Sequence, residues 1–158
     1  MAARKPLVIN TGRIQQLQAG DTLDATVTEV DVVSKVAAAT LIAGNIVYSS
    51  SATDVNKARA NASGTVKPIG LAKTAITSGA SRIIQTNGVL VLSTAEWDAA
   101  FGTTGGLTFN TIYYLSAATA GLGTVTAPST VGEYVKQVGL GLSTTELLIM
   151  LEGPEVLL

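Results

Sequence analysis

Two residue types are missing from this chain of 158 residues: it has no cysteine and no histidine. Without cysteine there is no disulfide, iron–sulfur or thiolate chemistry, and no compartment follows from redox logic. Without histidine the chain lacks the commonest metal ligand and the commonest general base near pH 7. Charge is also scarce. Asp, Glu, Lys and Arg make up 13% of the residues, against about 25% in an ordinary globular domain. The formal net charge of −1 offers nothing to nucleic acid or to an anionic membrane, and neither is expected as a partner. No uninterrupted apolar run reaches the ~18 residues of a membrane span. Arg4 and Lys5 are not followed by the apolar core of a secretion signal, so the N-terminus reads as an arm.

Aromatic residues are only 4% although hydrophobic residues reach 47%. The apolar content is therefore small: Ala, Val, Ile and Leu, interleaved with Thr, Ser and 16 Gly. That mixture favours strands and turns over helices. A surface with so little charge is expected to be buried in part within an oligomer or a larger assembly.

The chain then repeats itself. Ile46-Val47-Tyr48-Ser49-Ser50-Ser51-Ala52-Thr53 returns as Ile112-Tyr113-Tyr114-Leu115-Ser116-Ala117-Ala118-Thr119, with Ile, Tyr, Ser, Ala and Thr in matching places. Lys67-Pro68-Ile69-Gly70-Leu71-Ala72 is answered by Lys136-Gln137-Val138-Gly139-Leu140-Gly141. Two related β units are expected, at about 43–92 and 107–153. Gly70 and Gly139 are expected at equivalent points where a Cβ would clash.

Residues 1–20 read as an extended N-terminal arm, with a β-like run at Leu7-Val8-Ile9 and turn chemistry at Asn10-Thr11-Gly12. Residues 21–158 read as one β-rich domain. Alternation over Leu23–Val33 predicts a half-buried strand, with a bulge or a turn near Thr28-Glu29. Val36–Ile42 is open between a short helix and a strand. Pro68 argues that its strand is an edge, or that it begins there. Asn87-Gly88 between apolar flanks predicts a hairpin within Arg82–Leu92. Ser93 followed by Glu96 is a capping box, so Ser93–Ala100 is predicted as the one helix, anchored by Trp97. Glu146–Leu151 is apolar on both faces, which predicts a central or covered strand. The fold class that follows is all-β: a sandwich or small barrel made from two related units.

No residue constellation carries catalysis. Gly102-Thr103-Thr104-Gly105-Gly106 lacks the Lys-Ser/Thr of a phosphate loop. Asp21, Asp24, Glu29 and Asp31 fit no Ca²⁺ loop. Glu96 and Asp98, two apart on a helix, diverge by about 200°. Glu133 completes the set from which a sugar-cleaving carboxylate pair would have to be drawn. No enzyme activity, cofactor or metal is expected. The chain ends carry the assembly candidates instead: Arg4, Lys5, Leu7 and Ile9 in the arm, and Val156, Leu157 and Leu158 in the tail. Burying an aliphatic side chain is worth roughly 1.5–3 kcal/mol, while ordering backbone costs about 1–2 kcal/mol per residue. Docking of such short ends therefore fits a groove between subunits or on a shell better than the chain's own surface.

Several stretches resemble the virion structural proteins of tailed bacteriophages. They are Pro6-Leu7-Val8-Ile9-Asn10, Gly12–Leu23, Val55–Thr65, Ile84–Leu90 and Tyr113-Tyr114-Leu115-Ser116. The resemblance implies a small β-rich protein that assembles on the virion surface, commonly as a homotrimer. It implies a capsid decoration, or cement, protein on the outer face of the head, with the major capsid protein as partner. The alternative it leaves is a tail-fibre or receptor-binding component that recognises the host surface. It brings no catalytic residues to transfer.

Overall fold

Among the described residues, short β-branched runs separated by Gly and Ser/Thr turns fold into fourteen strands and one helix. The computed structural model describes residues 7–10, 13–16 and 32–158. The expected strand at Leu23–Val33 lies outside the described residues except for its last two positions, as do its bulge or turn and the acidic cluster Asp21–Asp31. Within the N-terminal arm, β1 (Leu7–Asn10) pairs antiparallel with β2 (Arg13–Gln16) as a separate two-stranded sheet.

The first unit comprises β3 (Val32–Ala37), β4 (Ile46–Ser49), β5 (Asp54–Lys57), β6 (Gly70–Ala72) and β7 (Ser81–Gln85). They close into a barrel in the order β3-β5-β4-β6-β7. Every pairing is antiparallel except β3 with β5, which is parallel and closes the barrel through Val36↔Asp54 and Ala37↔Val55. The ambiguous stretch Val36–Ile42 is therefore strand to Ala37, then a turn, with Leu41 bridged to Ile76.

The second unit comprises β8 (Val89–Val91), α1 (Thr94–Phe101), β9 (Ile112–Leu115), β10 (Gly123–Thr124), β11 (Tyr134–Val135), β12 (Gln137–Gly141) and β13 (Glu146–Ile149). Five of these strands form a sheet in the order β10-β9-β12-β13-β8. The last strand, β14 (Val156–Leu157), pairs with β11 in a ribbon of its own.

The two units share one plan. Reading β3, β4, β5, β6, β7 against β8, β9, β10, β12, β13 gives the same strand order. The registers match as well. Val47 faces Gly70 and Tyr113 faces Gly139; Ile46 faces Leu71 and Ile112 faces Leu140. At Gly70 a Cβ would strike the carbonyl of Gln85, and at Gly139 the carbonyl of Leu148. Those two carbonyls belong to partner residues at matching places in β7 and β13. The units diverge at closure. Where β3 pairs with β5 in the first, β8 runs into α1 in the second, and Phe101 packs against Gly123 of β10 where any Cβ would collide with its ring. A helix thus stands where strand pairing closes the barrel.

Three expectations need correction. Asn87-Gly88 does turn, with Gly88 at φ 74°, but it makes no hairpin. β7 pairs with β3 and β6, whereas β8 pairs with β13. The turn hands the chain from barrel to sheet, held by Gln85 Nε2 donating to the carbonyls of Asn87 and Val89 at 3.2 and 2.9 Å. The unit boundaries move accordingly: β8 falls inside the expected 43–92 unit but is paired into the second sheet, and β3 precedes that range yet belongs to the barrel. Pro68 precedes β6 by two residues, and β6 is interior to the barrel, between β4 and β7. The expectation for Glu146–Leu151 holds in its central form: β13 lies between β12 and β8, with Leu147 and Ile149 buried, Leu148 half-buried and Met150 40% exposed.

There are two cores. Ala37, Leu41, Val47, Val55, Ala72, Ile76 and Ile84 fill the barrel. The larger core lies between the units, where the inner face of the sheet (Leu90, Tyr113, Leu115, Leu147) covers the outward side chains Ile46 and Leu71 of the barrel. The helix sits at this boundary. Ser93 caps it, with its side chain and Glu96 forming the reciprocal box, and Gly102 ends it at φ 64°. Trp97 is fully buried and its Nε1 donates to the Thr145 carbonyl at 2.9 Å. Trp97, Phe101 and Tyr113 stack edge-on, with successive ring centroids 5.1 Å apart, an arrangement favoured by the ring quadrupoles. Asn45 ties the units by hydrogen bonds: its Nδ2 donates to the Gly121 carbonyl at 3.1 Å and its Oδ1 accepts from Ile42 N at 3.1 Å.

The equivalence of the two glycines makes a paired prediction. Gly70→Ala and Gly139→Ala should each destabilise by about 1–3 kcal/mol, the usual cost of overpacking, read from the denaturant midpoint. A neutral result at either position would contradict the close approach of the paired strands.

Candidate assembly surface

Gly153-Pro154 stops the second unit, and the remaining residues turn back over it. β14 pairs with β11 through Tyr134↔Leu157 and Val135↔Val156. Two flanking bonds extend the ribbon: Leu158 N donates to the Glu133 carbonyl and Gly132 N to the Leu158 carbonyl, both at 3.0 Å. On its other side β11 is tied to the first unit, since Tyr134 N donates to the Ala60 carbonyl at 2.8 Å. β14 is thus the free edge of this ribbon among the described residues. It displays apolar side chains there: Val156 is 49%, Leu157 59% and Leu158 41% exposed, and Val131 beside them is 88% exposed. An open edge strand with apolar side chains is a template for association.

Lys136 lies buried beneath the tail, with its Nζ donating to the Gly153 carbonyl. Burial lowers its pKa by disfavouring the charged ammonium, and the Glu155 carboxylate opposes that shift. The lysine thereby pins the start of the tail.

Of the residues singled out from the sequence, Val156, Leu157 and Leu158 come together with Val131, which the sequence did not flag. Leu7 and Ile9 lie in β1, in register with Gln16 and Ile14. Arg4 and Lys5 lie outside the described residues. The pairing of β11 with the tail was not legible: a two-residue strand has no periodicity to set a register.

Two of the carboxylates considered for chemistry, Glu96 and Asp98, have structural partners. The Glu96 carboxylate accepts from Ser93 N at 2.9 Å and Ser93 Oγ at 2.7 Å. Asp98 accepts from Thr103 Oγ1 at 2.8 Å, Gly105 N at 3.0 Å and Gly106 N at 2.8 Å. The Gly102–Gly106 loop is therefore a helix terminus folded around Asp98. Among the described residues no group of three or more Asp or Glu converges as a metal site. A cleft of about 480 Å³ opens between Thr86, Asn87, Gln137, Met150, Glu152 and Gly153.

No protein-family model, no curated protein and no solved structure matches this chain.

The Asp98 bonds, that from Gly106 N foremost, hold its carboxyl below the usual carboxylate range. A depressed carboxyl stabilises the fold above its unfolded pKa, and that contribution is lost as pH falls through the folded value. Asp98→Asn should therefore lower Tm at neutral pH and reduce the fall in Tm on acidification below about pH 4. Ser93→Ala should cost about 0.5–2 kcal/mol by removing the helix cap. Equal acid sensitivity of wild type and Asp98→Asn would contradict this role for Asp98.

Proposed function

We propose that this protein is a capsid decoration protein of a tailed bacteriophage, which assembles with itself, binds the major capsid protein on the outer head surface and stabilises the shell. The observation that carries this reading is the exposed apolar edge at β14, a surface made for contact with another chain and not for chemistry. The virion-like motifs and the low surface charge support the same reading. The mechanism is mass action: a protein that binds only the assembled shell stabilises that shell. Attachment is assigned to the chain ends, with Arg4 and Lys5 meeting acidic groups and the β14 edge adding apolar contact.

The test is decoration of genome-filled particles that lack this protein. Wild-type protein should appear as ordered density on the head and raise the temperature of genome release. Leu157→Asp, which charges the edge without touching a core, should reduce occupancy at least tenfold. Density confined to the tail would overturn the decoration reading in favour of a receptor-binding component. Wild-type occupancy by Leu157→Asp would show that β14 is not the attachment edge.

A further inference from the structure

The second sheet carries an apolar row on the face turned away from the core. Ile112 pairs with Leu140, Leu140 with Leu148, and Leu148 with Val89, so four aliphatic side chains lie side by side across β9, β12, β13 and β8. Ile112 and Val89 at its ends are 40% and 42% exposed, and Leu140 and Leu148 between them are half-buried. Val91, 59% exposed, lies next to the row. Its cross-strand partner Glu146 is the one charged residue among the outward positions of these four strands.

The duplication says what kind of surface this is. The matching row of the first unit is Ile46, Leu71, Gln85 and Val32, paired in the same order. There Ile46 and Leu71 are fully buried, because the second unit packs on them. In the first unit this face is a packing face between units, and in the second it stays apolar with no further unit among the described residues to cover it. A further unit cannot stack on it in the same manner. The stacking surface would be an open inner sheet face, and in a second copy the barrel interior is already filled by Val47, Val55 and Ile84. The row is instead suited to contact with itself. A flat row of this kind is self-complementary about a symmetry axis, and it carries almost no charge to oppose like meeting like.

We infer that the row Ile112–Leu140–Leu148–Val89 is the self-association face of this protein, and that its occupant is the same row of a second copy. This deepens the self-assembly part of the function proposed above and rests on that part alone. Loss of particle binding by an intact oligomer would refute shell attachment and leave this face standing.

The experiment uses the full chain. Wild type at micromolar concentration should sediment above the 16.1 kDa of one chain. Val89→Lys/Ile112→Lys puts like charges across the contact, and should weaken association by on the order of a hundredfold while leaving the circular dichroism unchanged. The absence of cysteine allows a second measurement that does not depend on tolerating the lysines. Ile112→Cys should be joined to a second copy by a bis-maleimide reaching about 10 Å, the usual spacing of packed sheets. Thr77→Cys, exposed on a barrel turn, should not be joined. Wild type sedimenting as a monomer would overturn the inference. So would an oligomer that survives the lysine pair, or one in which Ile112→Cys cross-links no better than Thr77→Cys.

Discussion

The structure depends on one contact, the stacking of the second sheet on the outside of the barrel. Ile46 and Leu71 point out of the barrel and are nevertheless fully buried, because Leu90, Tyr113, Leu115 and Leu147 lie over them. Burial of each such aliphatic side chain is worth roughly 1.5–3 kcal/mol. A barrel standing alone would forfeit that and present an apolar face to water. The helix reinforces the contact. Gly44, at φ 80°, leaves room for it: a Cβ there would lie 2.7 Å from Ala100 Cβ. The units are therefore two repeats of one plan but one folding body.

The divergence between the repeats gives each its place. The first closes on itself through a parallel pair, β3 with β5, and so fills its inner face from within. The second replaces that closure with α1, so its inner face stays open to receive the barrel. A single plan thus yields a closed unit that is covered and an open unit that covers. The outer face of the covering unit is the apolar row proposed as the self-association face. The β14 edge, on a separate ribbon, is proposed for attachment to the shell. The two proposals thus place self-assembly and attachment on different surfaces.

Features written in local sequence were legible before the fold was known. The capping box at Ser93 and Glu96 needs only neighbouring backbone, and the anchoring of Trp97 follows from a lone large ring in a chain poor in aromatics. The equivalence of Gly70 and Gly139 was readable because close approach of strands leaves glycine no substitute. Pairing partners were not readable. Asn87-Gly88 has the local chemistry of a hairpin, but β7 pairs with β3 and β6 and β8 pairs with β13, so tertiary pairing prevailed. The apolar pattern of Glu146–Leu151 indicated a central or covered strand, and β13 is central in its sheet, but the pattern does not name its neighbours. Of the assembly candidates, the tail was legible from its apolar character, while Val131 stands alone between polar neighbours and carries no pattern.

The central claim is that barrel and sheet form one cooperative body through their shared core. Native-state hydrogen exchange across a denaturant series measures this directly, since it resolves the opening free energy of each amide. Two bonded amides report on the two sides of the contact: Ala72 N, bonded to the Asn45 carbonyl in the barrel, and Ile149 N, bonded to the Gly88 carbonyl in the sheet. Their opening free energies should converge on a single global value as denaturant rises. If Ala72 kept its protection at concentrations where Ile149 had already opened, the barrel would be stable without the sheet and the account would be wrong.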